Sequence, residues 1–197
     1  MTVMRPLTLL AAALLALAGC ASSSTEATSP EPAAESILAA YDLDGLDGRA
    51  IVDRLDRLPV ADRPTTLRAS VRPGELLLSE AGSDDQTVVD LPDDLFYLAV
   101  APYIERTHDC YYHSLTTCRG ELAGQDMRVM ITERATNQVL VDTTTTTFDN
   151  GFVGFWLPSG IDATITVAYE GYTASGDIST GPDDPTCLTT LRLDPAT

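Results

Sequence analysis

The run LFYLAVAPYI, residues 95–104, decides the fold of this chain. It is apolar almost throughout and rich in residues that favour β-strands. A strand with one face in water would alternate apolar and polar residues, whereas a strand buried on both faces reads as a continuous apolar run. The run therefore predicts a central strand with another part of the protein packed on each side.

Short segments with strand character follow this run, separated by Gly, Asn, Asp or Pro. Short alternating strands with frequent turn residues are typical of antiparallel β-sandwiches. We therefore predict a β-sandwich over residues 95–197. Its strands are expected around Met127, Val129 and Ile131, the threonine-rich run 139–147, GFVGFWLP at 151–158, and Ile165, Val167 and Tyr169.

Residues 36–94 predict a smaller α/β region in front of the sandwich. A helix is indicated by apolar residues on one face, with Asp47 as its N-terminal cap and Pro59 as its stop. A hairpin is predicted over 67–78, and the fold class is α+β, mainly β. Because the region lacks cysteine and histidine, we expect it to act as a scaffold or to form a homodimer. The apolar residues of the helix are Ile51, Val52, Leu55 and Leu58.

The N-terminus indicates export. Residues 1–19 contain one charge, Arg5, and a long apolar run, which is typical of a signal peptide too short to span a bilayer. They end in a sequence that resembles a lipoprotein lipobox, so we expect Cys20 to be lipidated and the protein to be anchored to the outer face of the bacterial cell membrane. Residues 20–35 then have the composition of a flexible tether. The alternative is an ordinary signal peptide followed by a chance cysteine.

The net charge excludes one class of partner. At −17, the chain is a poor ligand for nucleic acid or for acidic membrane patches. An acidic surface attracts cations, although its usual consequence is solubility.

Residues 107–118, THDCYYHSLTTC, hereafter the hook, hold both histidines, His108 and His113, and two of the four cysteines. With Cys20 assigned to lipid, Cys110, Cys118 and Cys187 remain. One disulfide would use two of them, with Cys110 and Cys118 the expected pair, and would leave a free thiol. The alternative is a metal site, since the two histidines flank Cys110 closely.

The ligand types favour a soft metal. Three thiolates favour Cu(I), and zinc bound by the three cysteines and one histidine is the nearest competitor. A blue copper centre would need an axial methionine, which the expected position lacks. A thiol nucleophile would need a third group and an oxyanion motif, and neither is recognisable, so we do not expect an enzyme. Neighbouring thiolates could still reduce Cu(II) stoichiometrically while forming a disulfide.

Three segments resemble the CueP family of extracytoplasmic copper-binding proteins: APYIERTHDCYYHSLTTCRGEL (101–122), TTTFDNGFVGFWLP (145–158) and DDPTCLTTLRL (183–193). The resemblance implies a role in copper tolerance, in supplying copper to an exported Cu,Zn superoxide dismutase, and in copper reduction. The family's three cysteines match Cys110, Cys118 and Cys187, and its histidines match those of the hook. The lipobox is a departure from the family's soluble members, because a lipid anchor would keep this protein at the membrane.

These observations predict a membrane-anchored protein that binds Cu(I) through Cys110, Cys118 and Cys187, assisted by His108 or His113. A zinc-stabilised structural module and a disulfide-linked interaction domain are the alternatives. The single site requires Cys187 to lie where strand 95–104 ends. We expect a last strand containing Leu188, Leu191 and Leu193, antiparallel to strand 95–104, to place it there.

Overall fold

Strand β4 (Leu95–Val100) lies at the centre of the structure, a computed structural model that describes residues 37–196. Side chains at alternate positions of β4 enter two different apolar cores. Tyr97 and Ala99 face an N-terminal unit, whereas Phe96, Leu98 and Val100 face a five-stranded sheet. The prediction of a strand buried on both faces is confirmed.

The N-terminal unit consists of a short helical segment at residues 37–40, one longer helix, a 3₁₀ turn and a three-stranded antiparallel sheet in the order β1-β2-β3. The Asp47 side chain caps the helix by accepting from the Ala50 N–H at 2.8 Å, and Ile51, Val52 and Leu55 are buried. The predicted helix and hairpin are therefore present, and β3 extends the hairpin. The elements are α1 (Gly48–Asp56), the turn Val60–Asp62, β1 (Leu67–Arg72), β2 (Glu75–Glu80) and β3 (Thr87–Asp90).

Two further sheets form the predicted sandwich. One is a three-stranded sheet in the order β10-β4-β7, and the other is five-stranded in the order β11-β9-β8-β5-β6. Their facing side chains make an apolar core that includes Val129, Ile131 and Ile165. The strands are β5 (Asp126–Glu133), β6 (Val139–Thr146), β7 (Val153–Pro158), β8 (Asp162–Tyr169), β9 (Tyr172–Ser179), β10 (Cys187–Leu188) and β11 (Asp194–Pro195). The fold is mainly β with a small helical region, as predicted.

The prediction for the last strand is wrong in direction and length. β10 contains only two residues and runs parallel to β4, with Cys187 opposite Ala99. The chain then continues forward beside the segment that follows β4, where Tyr103 N donates to Leu191 O at 3.0 Å. Because β10 begins opposite the end of β4, Cys187 reaches the hook in a parallel arrangement too.

The signal peptide (1–19), Cys20 and the tether (20–35) lie outside the described residues. Within residues 37–196, no helix has the length and apolar character needed to cross a membrane.

Candidate metal centre

Backbone hydrogen bonds fix the hook between the N-terminal unit and β10. Val71 N donates to His113 O at 2.8 Å, and Leu115 N donates to Ala69 O at 2.9 Å, so part of the hook pairs with β1. On its other side, Cys187 N donates to Tyr111 O at 3.1 Å. Three segments that are distant in sequence therefore meet at the hook.

The three cysteines of the described residues converge at this point. Cys110 and Cys187 form a disulfide with their Cα atoms 5.7 Å apart. Cys118 is free and buried, with its Sγ 3.5 Å from Cys110 Sγ. The expected pairing of Cys110 with Cys118 is thus wrong, because the backbone contact of Cys187 with Tyr111 brings Cys187 beside Cys110.

Both histidines lie within ligand distance of the sulfurs, in two groups that share Cys118. The outer group consists of His108, Cys110 and Cys118, and the inner group of His113, Cys118 and Cys187. Within each group, one potential ligand atom from each residue lies within 4.8 Å of the others. His108 is half-buried, whereas His113 is completely buried. All five residues singled out from the sequence are therefore brought together.

A buried carboxylate that the sequence did not predict lies behind His113. Asp56, the last residue of α1, has no exposed surface. Its carboxylate contacts His113 Nε2 at 3.0 Å and accepts from the Tyr97 hydroxyl at 2.6 Å and from Asn150 Nδ2 at 3.1 Å. With Nε2 held by Asp56, Nδ1 of His113 faces Cys187 Sγ at 3.8 Å. This arrangement of carboxylate, histidine and ligand sulfur resembles the way proteins orient metal-binding imidazoles.

Asp56 could have been noticed because it follows Val52 by four residues and so shares the apolar face of the helix. A carboxylate on that face must be paired when it is buried. Its partner could not be identified in advance, because Tyr97, His113 and Asn150 come from three other segments.

Arg63 provides a second cation next to Asp56. Its Nη2 lies 3.5 Å from Asp56 Oδ1 and donates to Asp56 O at 3.0 Å. Its Nη1 donates to Cys118 O at 3.3 Å. The guanidinium therefore links the end of α1 to the backbone of the shared cysteine.

Two glycines bring the Asn150 loop against the hook. Gly120 N donates to Asn150 O at 2.6 Å, and a Cβ on Gly120 would lie 2.6 Å from Gly151 O. Gly151 has a φ of +79°, a conformation that side-chain-bearing residues rarely adopt. This close approach places Asn150 where it can donate to Asp56.

The charges of these buried groups depend on each other. Burial by itself would lower the pKa of His113, but the charge and hydrogen bond of Asp56, followed by those of Cys118, raise that pKa to about 9. Burial would raise the pKa of Cys118, but the hydrogen bond and charge of His113 and the Ser114 N–H lower it. Burial also opposes ionisation of Asp56, yet His113, Tyr97 and Arg63 lower the pKa of its carboxyl group. At neutral pH the centre therefore favours a carboxylate, an imidazolium and thiolate character on Cys118.

Comparison with known proteins identifies the family of this chain. The family model described as "Periplasmic copper-binding protein CueP" matches residues 50–192. A solved structure titled "Crystal Structure of S.CueP" is 38% identical, covers 81% of this chain and 96% of its own, and has a TM-score of 0.75. No curated protein matches the chain. The family match begins within α1 and so includes Asp56 as well as the three cysteines. The chain belongs to the CueP family of periplasmic copper-binding proteins.

Proposed function

We propose that this protein is exported and holds one Cu(I) on the thiolates of Cys110, Cys118 and Cys187, with His108 or His113 assisting. The observation that carries the proposal is the convergence of three sulfurs around Cys118 from two distant parts of the chain. Three thiolates form a soft, low-coordinate site of the kind that Cu(I) prefers.

Zinc is the competing metal, and the surroundings of His113 disfavour that residue as a zinc ligand. A structural zinc site needs a fourth firm ligand, here one of the two histidines. His113 could serve only after losing a proton that Asp56 helps to retain, since its pKa is raised to about 9. Cu(I) bound by sulfur alone does not require this proton to leave.

The disulfide state sets a condition for copper binding. Cys110 and Cys187 are joined in the structure, so two electrons must be added before all three thiolates are available. In the opposite direction, the two reduced thiols could transfer one electron to each of two Cu(II) ions, form the disulfide, release two protons and yield two Cu(I). Such a reduction is stoichiometric, because a further reductant must regenerate the thiols.

The exposure of the two histidines suggests a direction of entry. His108 of the outer group is half-buried, and His113 of the inner group is fully buried. Imidazole also binds Cu(II) well. In this proposal His108 receives incoming copper and the sulfurs around Cys118 retain it.

Lipid anchoring and delivery complete the proposal. Cys20 would carry the lipid, and membrane fractionation of a Cys20→Ser variant tests this. The client would be an exported Cu,Zn superoxide dismutase, tested by activation of its copper-free form. We also propose dimerisation at β3, an edge strand that exposes Val88, tested by sedimentation of Val88→Asp.

The test of the metal site is competition of the reduced protein with a Cu(I) chelator. We expect Cys110→Ser, Cys118→Ser and Cys187→Ser each to weaken Cu(I) binding by about 100-fold or more, and His108→Ala or His113→Ala to weaken it less. Cys20→Ser is the matched control and should bind as the parent does. Unchanged binding in Cys187→Ser, or displacement of Cu(I) by zinc in the parent, would refute the assignment.

A further inference from the structure

An open pocket of about 420 Å³ lies beside the outer group of ligands. His108 lines it, together with Arg106, Arg119 and Glu121. The same imidazole therefore borders both the pocket and the sulfurs of Cys110 and Cys118. Anything bound in the pocket would lie next to the outer end of the metal centre.

The charge of this pocket is opposite to that of the chain. Arg106 and Arg119 are exposed, and neither forms an ion pair within residues 37–196, although the whole chain has a net charge of −17. Arginines in so acidic a protein have many carboxylates available to them. Two unpaired guanidinium groups on one pocket therefore leave a local positive site for an anion.

The one carboxylate of the pocket has other partners. Glu121 Oε2 accepts backbone N–H groups from Ile104 at 2.8 Å, Glu105 at 3.0 Å and Arg106 at 3.3 Å. Burial opposes ionisation of Glu121, but these three hydrogen bonds, and then the charge of Arg106, lower the pKa of its carboxyl group. Glu121 thus fixes the backbone from which the Arg106 side chain extends.

We propose that this pocket binds the carboxylate groups of a small anionic complex that carries copper to His108. Guanidinium groups bind carboxylates through paired hydrogen bonds, and the pocket volume lies within the range of small-molecule sites. His108 would displace one donor atom of the carrier and the sulfurs would displace the rest, without any change in oxidation state. The inference rests on the proposed function and adds the class of ligand from which copper is taken.

The test compares copper transfer from two donors to the reduced protein by stopped-flow absorbance. Cu(I)–bicinchoninate carries carboxylates, whereas Cu(I)–neocuproine offers similar nitrogen donors and no carboxylate. We expect the double variant Arg106→Gln/Arg119→Gln to take copper from bicinchoninate about 10-fold more slowly, and from neocuproine at the parent rate. Arg128→Gln, an equivalent change on the five-stranded sheet, is the control and should not alter either rate.

A second measurement uses no copper. Metal-free bicinchoninate should shift the NMR signals of His108 in the copper-free protein, and the double variant should abolish these shifts. Failure of Cu(I) binding in the parent would contradict the proposed function, whereas absence of the copper-free shifts would overturn only this inference. Equal slowing with both donors, or no slowing, would also overturn it.

Discussion

The two faces of β4 differ in chemistry. The face towards the five-stranded sheet, with Phe96, Leu98 and Val100, belongs to a core built from apolar side chains. The opposite face contains Tyr97, whose hydroxyl donates to the buried carboxylate of Asp56. A single strand therefore supports a wholly apolar core on one side and, on the other, an apolar core that encloses a buried polar network connected to the cysteines.

The polar network depends on the N-terminal unit, for which the sequence alone predicts a scaffold or a dimerisation surface. Asp56 and Arg63 both come from this unit and contact His113 and the backbone of Cys118. A region without cysteine or histidine therefore controls the orientation and charge of the residues that could bind copper. Changes on the two sides of β4 should have different effects on stability and on metal binding.

The largest effect is expected from Asp56→Ala. The substitution leaves the His113 imidazolium, the Arg63 guanidinium and the Tyr97 hydroxyl without their buried partner, which should cost about 3–5 kcal/mol of unfolding free energy. Because Nε2 of His113 also loses its acceptor, Cu(I) binding should weaken by about 10-fold. Urea unfolding and chelator competition measure the two quantities.

If Asp56→Ala does not fold, Asp56→Asn keeps the shape and one acceptor oxygen and should lose less stability. The matched control is Asp142→Asn, which breaks an exposed ion pair with Arg128 and should change stability by less than about 1 kcal/mol. Equal effects of Asp56→Ala and Asp142→Asn would show that the buried network does not stabilise the fold.

The next largest effect should come from the other side of β4, and it should separate stability from function. Ile165→Ala creates a cavity in the sandwich core, where Ile165 has no exposed surface, and should cost about 2–4 kcal/mol. Cu(I) affinity of the folded protein should not change, since Ile165 belongs to the other core. A variant that weakened copper binding as much as it weakened folding would contradict the separation of the two faces.

The sequence predicted those features that depend on local pattern. The apolar run of β4, the Asp47 cap and the clustering of ligands in the hook were all visible in neighbouring residues. Asp56 was missed because its partners come from three distant segments, and a single sequence gives no pairing information for them. The predictions of the disulfide partner and of the direction of β10 failed for a similar reason. They depend on the contact of Cys187 with Tyr111, 76 residues away, and on its pairing with Ala99 of β4, and neither contact is visible in neighbouring residues.

The dependence of the unfolding free energy on pH should reflect the polar network on the Tyr97 side of β4. His113 has a pKa raised to about 9 from an ordinary value of 6.5, so its pairing with Asp56 stabilises the fold fully below pH 6.5. As pH rises through 9, the imidazolium loses its proton and roughly 3 kcal/mol of stability should be lost. Urea unfolding of copper-free protein at several pH values measures this loss.

The Cys118→Ser background makes that experiment easier to interpret. Ionisation of Cys118 has the opposite sign, because its lowered pKa adds stability as pH rises, and the free thiol could also attack the disulfide in alkaline solution. Adding Asp56→Asn in this background should flatten the profile between pH 6.5 and 9. A slope that survives Asp56→Asn would assign the pH dependence to other groups.

The smallest effect is expected from removing a tyrosine hydroxyl, either beside the polar network or on the five-stranded sheet. Tyr97→Phe removes a buried donor to the charged carboxylate of Asp56, at 2.6 Å, and should cost about 1.5–3 kcal/mol. Tyr169→Phe removes a hydroxyl that donates at 2.9 Å to the neutral Gln125 Oε1 on the five-stranded sheet, and should cost about 1 kcal/mol or less. Tyr97→Phe should in addition raise the pKa of Asp56, because one hydrogen bond to its ionised form is lost, whereas Tyr169→Phe should leave the metal centre unchanged. NMR titration of the Asp56 carboxyl carbon in both variants measures this difference, and equal titration curves would show that β4 does not connect its buried hydroxyl to the metal centre.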